Sequence, residues 1–111
     1  AGLAPFTPEA LSEYLRCFTL EAIHGSCEDY RASASIDLEH DRADAQDGRK
    51  VNCPLLALWG KRGVVERCFA PLQDWAEIAT DVRGHALDGG HYLTEELPDE
   101  TFTELKAFFF S

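Results

Sequence analysis

Residues 54–60 read Pro-Leu-Leu-Ala-Leu-Trp-Gly, a continuous apolar run that opens with a proline and closes with a glycine. A strand of a parallel sheet is buried on both faces, so it lacks the polar alternation of a half-exposed strand. The run has this pattern, and its short length also fits a buried helix segment. A second strand is predicted at residues 81–87, directly before Gly89-Gly90-His91. Together the two segments predict neighbouring parallel strands.

The residues around these strands have helical spacing. A broad apolar stripe over residues 65–79 predicts a helix between the strands, and Pro98 opens a last amphipathic helix. The order strand, helix, strand, turn, helix predicts an α/β fold class, as the end of a parallel sheet. Five apolar side chains are expected to face inward: Trp59, Trp75, Phe102, Leu105 and Phe109.

The first part of the chain is predicted to be helical. Thr7-Pro8-Glu9 combines a capping residue, a first-turn proline and an acidic residue, which is typical of a helix start. A second helix is predicted from Thr19 into residues 32–34, and a charged segment follows up to Asp47-Gly48. We therefore predict two parts: helices in residues 1–48, packed as a cap, and an α/β part in residues 49–111.

Composition excludes several classes of partner. The formal charge of −10, from twenty acidic and ten basic residues, repels nucleic acid and anionic membrane surfaces. No apolar run is long enough to span a bilayer. The four cysteines contain no C-x-x-C pair and fit no zinc site, so we expect reduced, mostly buried thiols in a cytoplasmic protein with no metal.

His91 is the candidate catalytic residue. It follows two glycines at the carboxyl end of the second predicted strand, where open α/β sheets collect their reactive side chains. A histidine there can act as a general base, because its unperturbed pKa lies near neutrality. The alternative is that His91 only fills a turn. From the residues alone, the two interpretations are about equally supported.

Three segments carry a resemblance to a known family: Pro54-Leu-Leu-Ala-Leu-Trp-Gly-Lys-Arg-Gly63, Gly90-His-Tyr-Leu-Thr-Glu-Glu-Leu-Pro98, and Cys27-Glu-Asp-Tyr-Arg-Ala32. Together they resemble the C-terminal part of an α/β-hydrolase, most narrowly the haloacetate (fluoroacetate) dehalogenases. The resemblance implies an aspartate that displaces halide to form an ester, His91 activating water to hydrolyse it, and Tyr30 binding the departing halide. It implies no cofactor, and a small haloacid substrate in the intact enzyme.

The nucleophile of that family is missing from this chain. No G-x-S-x-G or G-x-D-x-G elbow occurs, and Gly60-Lys61-Arg62-Gly63 contains no carboxylate where many relatives carry the catalytic acid. The family's chain order puts both groups upstream of Ala1. We therefore expect a C-terminal fragment, inactive alone, that associates with an N-terminal half or with itself.

Three alternatives stay open. An epoxide hydrolase would use the same ester chemistry, with Tyr30 donating to the epoxide oxygen and Tyr14 as the other tyrosine available. An esterase would carry serine as the nucleophile. A third alternative is a folding or interaction module without catalysis of its own.

Overall fold

The computed structural model describes residues 2–110, which form two compact units. The helical unit comprises residues 6–50. The α/β unit comprises residues 51–110 together with residues 2–5.

The helical unit contains three helices: α1 (Pro8–Cys17), α2 (Leu20–Ser33) and α3 (Ile36–Gln46). Thr7 and Thr19 cap α1 and α2, since each side-chain oxygen accepts a hydrogen bond from a first-turn N–H at 3.2 Å. Both predicted helix starts are confirmed. Within α1, a hydrogen bond from Arg16 to Glu13 of 2.9 Å lowers the pKa of that carboxyl.

The α/β unit contains the elements β1 (Leu55–Gly60), α4 (Val64–Cys68), α5 (Pro71–Ile78), β2 (Val82–Leu87), α6 (Leu93–Glu96) and α7 (Pro98–Phe110). The single helix predicted over residues 65–79 is two helices. Pro71 has no N–H to donate and disfavours helical geometry in the residue before it, so Phe69 and Ala70 leave the helical conformation and α5 starts at the proline.

The two strands pair in parallel, as predicted, with Leu55 opposite Val82 and Gly60 opposite Leu87. In this register Ala57 lies opposite Gly84. A Cβ built on Gly84 would lie 1.8 Å from the carbonyl oxygen of Ala57, and Gly84 has φ +145°. Only glycine tolerates both conditions. The close pairing of the strands at this point therefore requires Gly84.

Burial differs from the prediction. Among the described residues the buried apolar side chains are Ala79 and Leu87. The prediction that Phe102, Leu105 and Phe109 face inward is wrong, since all three are exposed, Phe109 to 69%. Trp59 is half-buried, and Trp75 is exposed on α5.

The cysteines also depart from expectation. All four are free thiols, as predicted, but they are exposed rather than buried, because they lie on uncovered parts of helices and in a loop. Within residues 2–110 no helix has the length and apolar character that crossing a bilayer requires.

Candidate active site

The carboxyl ends of β1 and β2 are joined by the loops that leave them. The backbone N–H of Lys61 donates to the carbonyl of Leu87 at 2.8 Å, and that of Arg62 donates to the carbonyl of Gly89 at 2.9 Å. The loop after β1 thus holds the start of the loop that carries His91. Because both strands end at the same edge, His91 lies where parallel sheets place reactive groups, as the sequence predicted.

Two glycines let these loops approach each other. A Cβ built on Gly60 would lie 1.7 Å from the carbonyl oxygen of Gly90, a backbone atom that cannot move aside. A Cβ on Gly90 would lie 2.6 Å from a carboxylate oxygen of Glu96. Neither Gly89 nor Gly90 has a positive φ. The missing side chain of Gly90 therefore leaves room for the Glu96 carboxylate, and no left-handed turn is involved.

Glu96 was not singled out from the sequence, yet it holds the His91 loop from the opposite side. Its Oε2 accepts the N–H of Gly90 at 2.6 Å, and its Oε1 accepts the N–H of Tyr92 at 3.2 Å. The two bonded N–H groups flank His91. One sequence signal could have identified Glu96: it is a carboxylate four residues after Tyr92, in the first helical turn that follows a Gly-Gly pair. In a capping box, a glutamate in the first turn likewise accepts a backbone N–H at the helix start.

Helix α6, which carries Glu96, is anchored in turn to α7. The hydroxyl of Thr101 donates to the carbonyl of Leu93 at 3.3 Å, and the N–H of Thr101 donates to the carbonyl of Leu97 at 2.9 Å. Thr101 is 7% exposed. Its hydrogen bonds link α7 to α6, and Glu96 links α6 to the His91 loop.

The imidazole of His91 lines an open pocket of about 350 Å³ beside Trp59, Gly60, Gly63 and Tyr92. Its ring lies 5.3 Å from the ring of Tyr92 in an edge arrangement. Within residues 2–110 no hydrogen bond or ion pair engages either ring nitrogen of His91. The side chain is exposed, so a water, a substrate or a further protein group can reach the ring.

Tyr30, the predicted halide-binding residue, lies on α2 in the helical unit and is 80% exposed. Two charged residues near the His91 loop, Arg62 and Glu66, have partners within the α/β unit. Arg62 pairs with Asp88 at 2.5 Å on the exposed surface, where such a pair contributes little to stability. Glu66, in the first turn of α4, accepts a hydrogen bond from the indole N–H of Trp59.

No metal site is formed by the described part of the chain, where no three His, Cys, Asp or Glu residues converge. At this edge of the sheet, the structure places an exposed imidazole on a loop whose backbone is held by hydrogen bonds. Such a group can transfer protons to or from a bound molecule.

The chain is similar in sequence and in structure to known α/β-hydrolases. No protein-family model matches the chain. A fluoroacetate dehalogenase from a Burkholderia species is 40% identical over 108 residues, which are 96% of this chain and 35% of that protein. A solved structure from Nostoc sp. PCC 7120, described as an α/β-hydrolase, is 47% identical with a TM-score of 0.88 and covers 99% of this chain and 38% of its own. A Pseudomonas aeruginosa structure, described as an epoxide hydrolase, is 37% identical with a TM-score of 0.80 and covers 94% and 35%.

These similarities confirm the predicted fold. The chain has the architecture of the C-terminal part of an α/β-hydrolase, and it is homologous to fluoroacetate dehalogenase and to other α/β-hydrolases. It spans about a third of the length of the relatives it matches.

Proposed function

We propose that this chain supplies the general base, His91, to a hydrolase that cleaves the carbon–halogen bond of small 2-halo acids. The observation that carries the proposal is the position of His91 at the carboxyl edge of the sheet, where its flanking backbone is hydrogen-bonded and its side chain lines a pocket. The 40% identity to fluoroacetate dehalogenase supports haloacids as the substrate class. The pocket of about 350 Å³ is large enough for a molecule of that size.

The proposed reaction has two steps. A carboxylate outside this chain attacks the carbon that bears the halogen, and the halide leaves with the bonding electron pair. The product of this step is an ester between the enzyme and the acid. His91 then takes a proton from water as the water oxygen attacks the ester carbonyl, which frees the carboxylate and releases a 2-hydroxy acid.

Tyr30 is proposed to assist the first step. Its phenolic hydroxyl is a hydrogen-bond donor that can stabilise negative charge as it develops on the halogen. The exposure of its side chain on α2 leaves this hydroxyl open to a ligand. Assigning Tyr30 this role also assigns the helical unit to the substrate-facing cap.

Epoxide hydrolysis is the second candidate, favoured by the 37% identity to the protein described as an epoxide hydrolase. The same carboxylate would then open the three-membered epoxide ring to give an ester, and His91 would activate water to hydrolyse it, so no halide would form. A non-catalytic interaction module is the candidate from another class.

A chimera tests these candidates. This chain replaces the matching segment of the Burkholderia fluoroacetate dehalogenase, and release of fluoride from fluoroacetate is compared with hydrolysis of a small epoxide. With His91→Ala we expect turnover to fall by about 10²- to 10⁴-fold. Because ester formation does not need the base, one equivalent of fluoride per enzyme should still be released, leaving a carboxymethyl group on the protein in the intact mass.

Two further variants sharpen the experiment. His85→Ala, a histidine on β2, should leave turnover unchanged, whereas Tyr30→Phe should slow the fluoride burst itself. Epoxide turnover without fluoride release would favour the second candidate. Equal fluoride turnover in the chimera and its His91→Ala variant would exclude His91 as the base.

A further inference from the structure

We infer that Glu96 is a positioning residue whose carboxylate fixes the backbone on both sides of His91. Two oxygens of one carboxylate accept the N–H groups of Gly90 and Tyr92, at 2.6 and 3.2 Å. The residue between those two N–H groups is His91. The clamp itself follows from the geometry, and its effect on turnover rests on the proposed function.

The surrounding contacts show that the backbone next to His91 depends on the Glu96 carboxylate. On one side, the loop after β1 fixes the carbonyls of Leu87 and Gly89 by hydrogen bonds from Lys61 and Arg62. Those bonds end before Gly90. The backbone N–H groups that flank His91 are held from the other side, by the carboxylate of Glu96. Hydrogen bonds to an ionised acceptor are stronger than neutral ones, so they restrict the loop more.

The glycine at position 90 supports the same inference. A Cβ there would lie 2.6 and 2.9 Å from the two carboxylate oxygens of Glu96. Those atoms are the far end of a flexible side chain, so Gly90→Ala would push the carboxylate away without moving the sheet. By contrast, a Cβ on Gly60 would meet backbone atoms of Gly89 and Gly90, which cannot rotate away as a side chain can. Gly90 thus leaves the space that the carboxylate occupies.

The first experiment measures the backbone of the 111-residue chain by ¹⁵N relaxation. In the unchanged chain we expect an order parameter for the His91 N–H near that of the β2 amides, about 0.85. Glu96→Ala and Gly90→Ala should lower it toward about 0.6 while the β2 amides stay rigid. Glu96→Gln should give an intermediate value, because an amide group offers only one acceptor oxygen. Glu100→Gln, which removes the same charge from exposed α7, is the control.

The second experiment separates positioning from a purely structural role. In the chimera, His91 acts after halide has departed, and kcat/KM reports only the steps up to that departure. Loss of the clamp should therefore lower kcat and KM together, by about 10²-fold for a misplacement on the order of 1 Å, with kcat/KM unchanged. A fall in kcat/KM with a raised KM would mean that Glu96 merely maintains the pocket, and would overturn its positioning role.

The two readouts distinguish failure of the clamp from failure of the proposed function. Unchanged His91 order parameters in Glu96→Ala, or an equal loss of order in Glu100→Gln, would overturn the clamp whatever the chimera does. If the His91 N–H is rigid in the 111-residue chain and loosens in Glu96→Ala, the clamp is supported. If the chimera then releases no halide, the haloacid proposal is overturned while the clamp stands.

Discussion

At the scale of single residues, the His91 loop is held through backbone groups, while the imidazole itself is left open. The sequence predicted the place of His91, because a Gly-Gly pair after a strand marks the sheet edge. It did not predict Glu96, whose contact with Gly90 spans six residues and crosses a turn. Periodicity describes neighbours on one helix or strand, so it carries no information about a side chain that reaches back across a loop.

Thr101 offers a test at this scale. Thr101→Val keeps the shape of the side chain but removes the hydroxyl that donates to the carbonyl of Leu93. Because Thr101 is buried, we expect a loss of about 0.5–1.5 kcal/mol in the free energy of unfolding, measured by urea titration. Thr101→Ser retains the donor and should recover most of this loss. Destabilisation by Thr101→Ser with none by Thr101→Val would instead assign the role of Thr101 to its methyl group.

At the scale of elements, both strands and the flanking helices form where the sequence predicted them. The long central helix was mispredicted, since its apolar stripe continues across a proline that ends one helix and begins another. The stripe persists because α4 and α5 contact the same pair of strands, α4 at β1 and α5 at β2. Apolar spacing therefore predicted that this stretch packs against the strands, and backbone chemistry decided where the helix breaks.

Gly84→Ala tests the pairing of the strands. The added Cβ meets the carbonyl of Ala57 at a φ that alanine avoids, so we expect a loss of about 3 kcal/mol or more. Both tryptophans lie in the α/β unit, so urea unfolding followed by their fluorescence reports on it. Gly25→Ala is the matched control, because nothing lies within 4 Å of a Cβ at that position of α2. It should leave the tryptophan transition unchanged and raise helix stability by about 0.5–1 kcal/mol.

At the scale of the whole molecule, the amount of apolar surface in contact with water is the dominant feature. Ala79 and Leu87 are the buried apolar side chains of the described chain, whereas α5 and α7 expose aromatic residues such as Trp75, Phe102 and Phe109. The sequence predicted the apolar stripe on α7 correctly but not its exposure. Burial depends on what lies opposite a helix, and a stripe on the helix itself does not identify that neighbour.

We therefore propose that the purified chain associates, either with a complementary N-terminal segment or with itself. Native mass spectrometry should give dimers or larger species whose share rises with protein concentration. Phe109→Glu should reduce them by placing a charge in the apolar stripe. Ala107→Glu adds the same charge on the opposite face of α7 and should have little effect. A monodisperse monomer at all concentrations would contradict this proposal.

The missing side chain at Gly84 also has a consequence for misfolding. A parallel pair can slip by one residue, which moves one strand by about 3.3 Å and turns each side chain to the other face. To keep the close approach opposite Ala57, a slipped strand would have to place Arg83 or His85 there, and neither tolerates the φ of +145° that Gly84 adopts. The backbone at Gly84 therefore opposes slippage, and the register that it favours sets where His91 leaves the sheet relative to the end of β1.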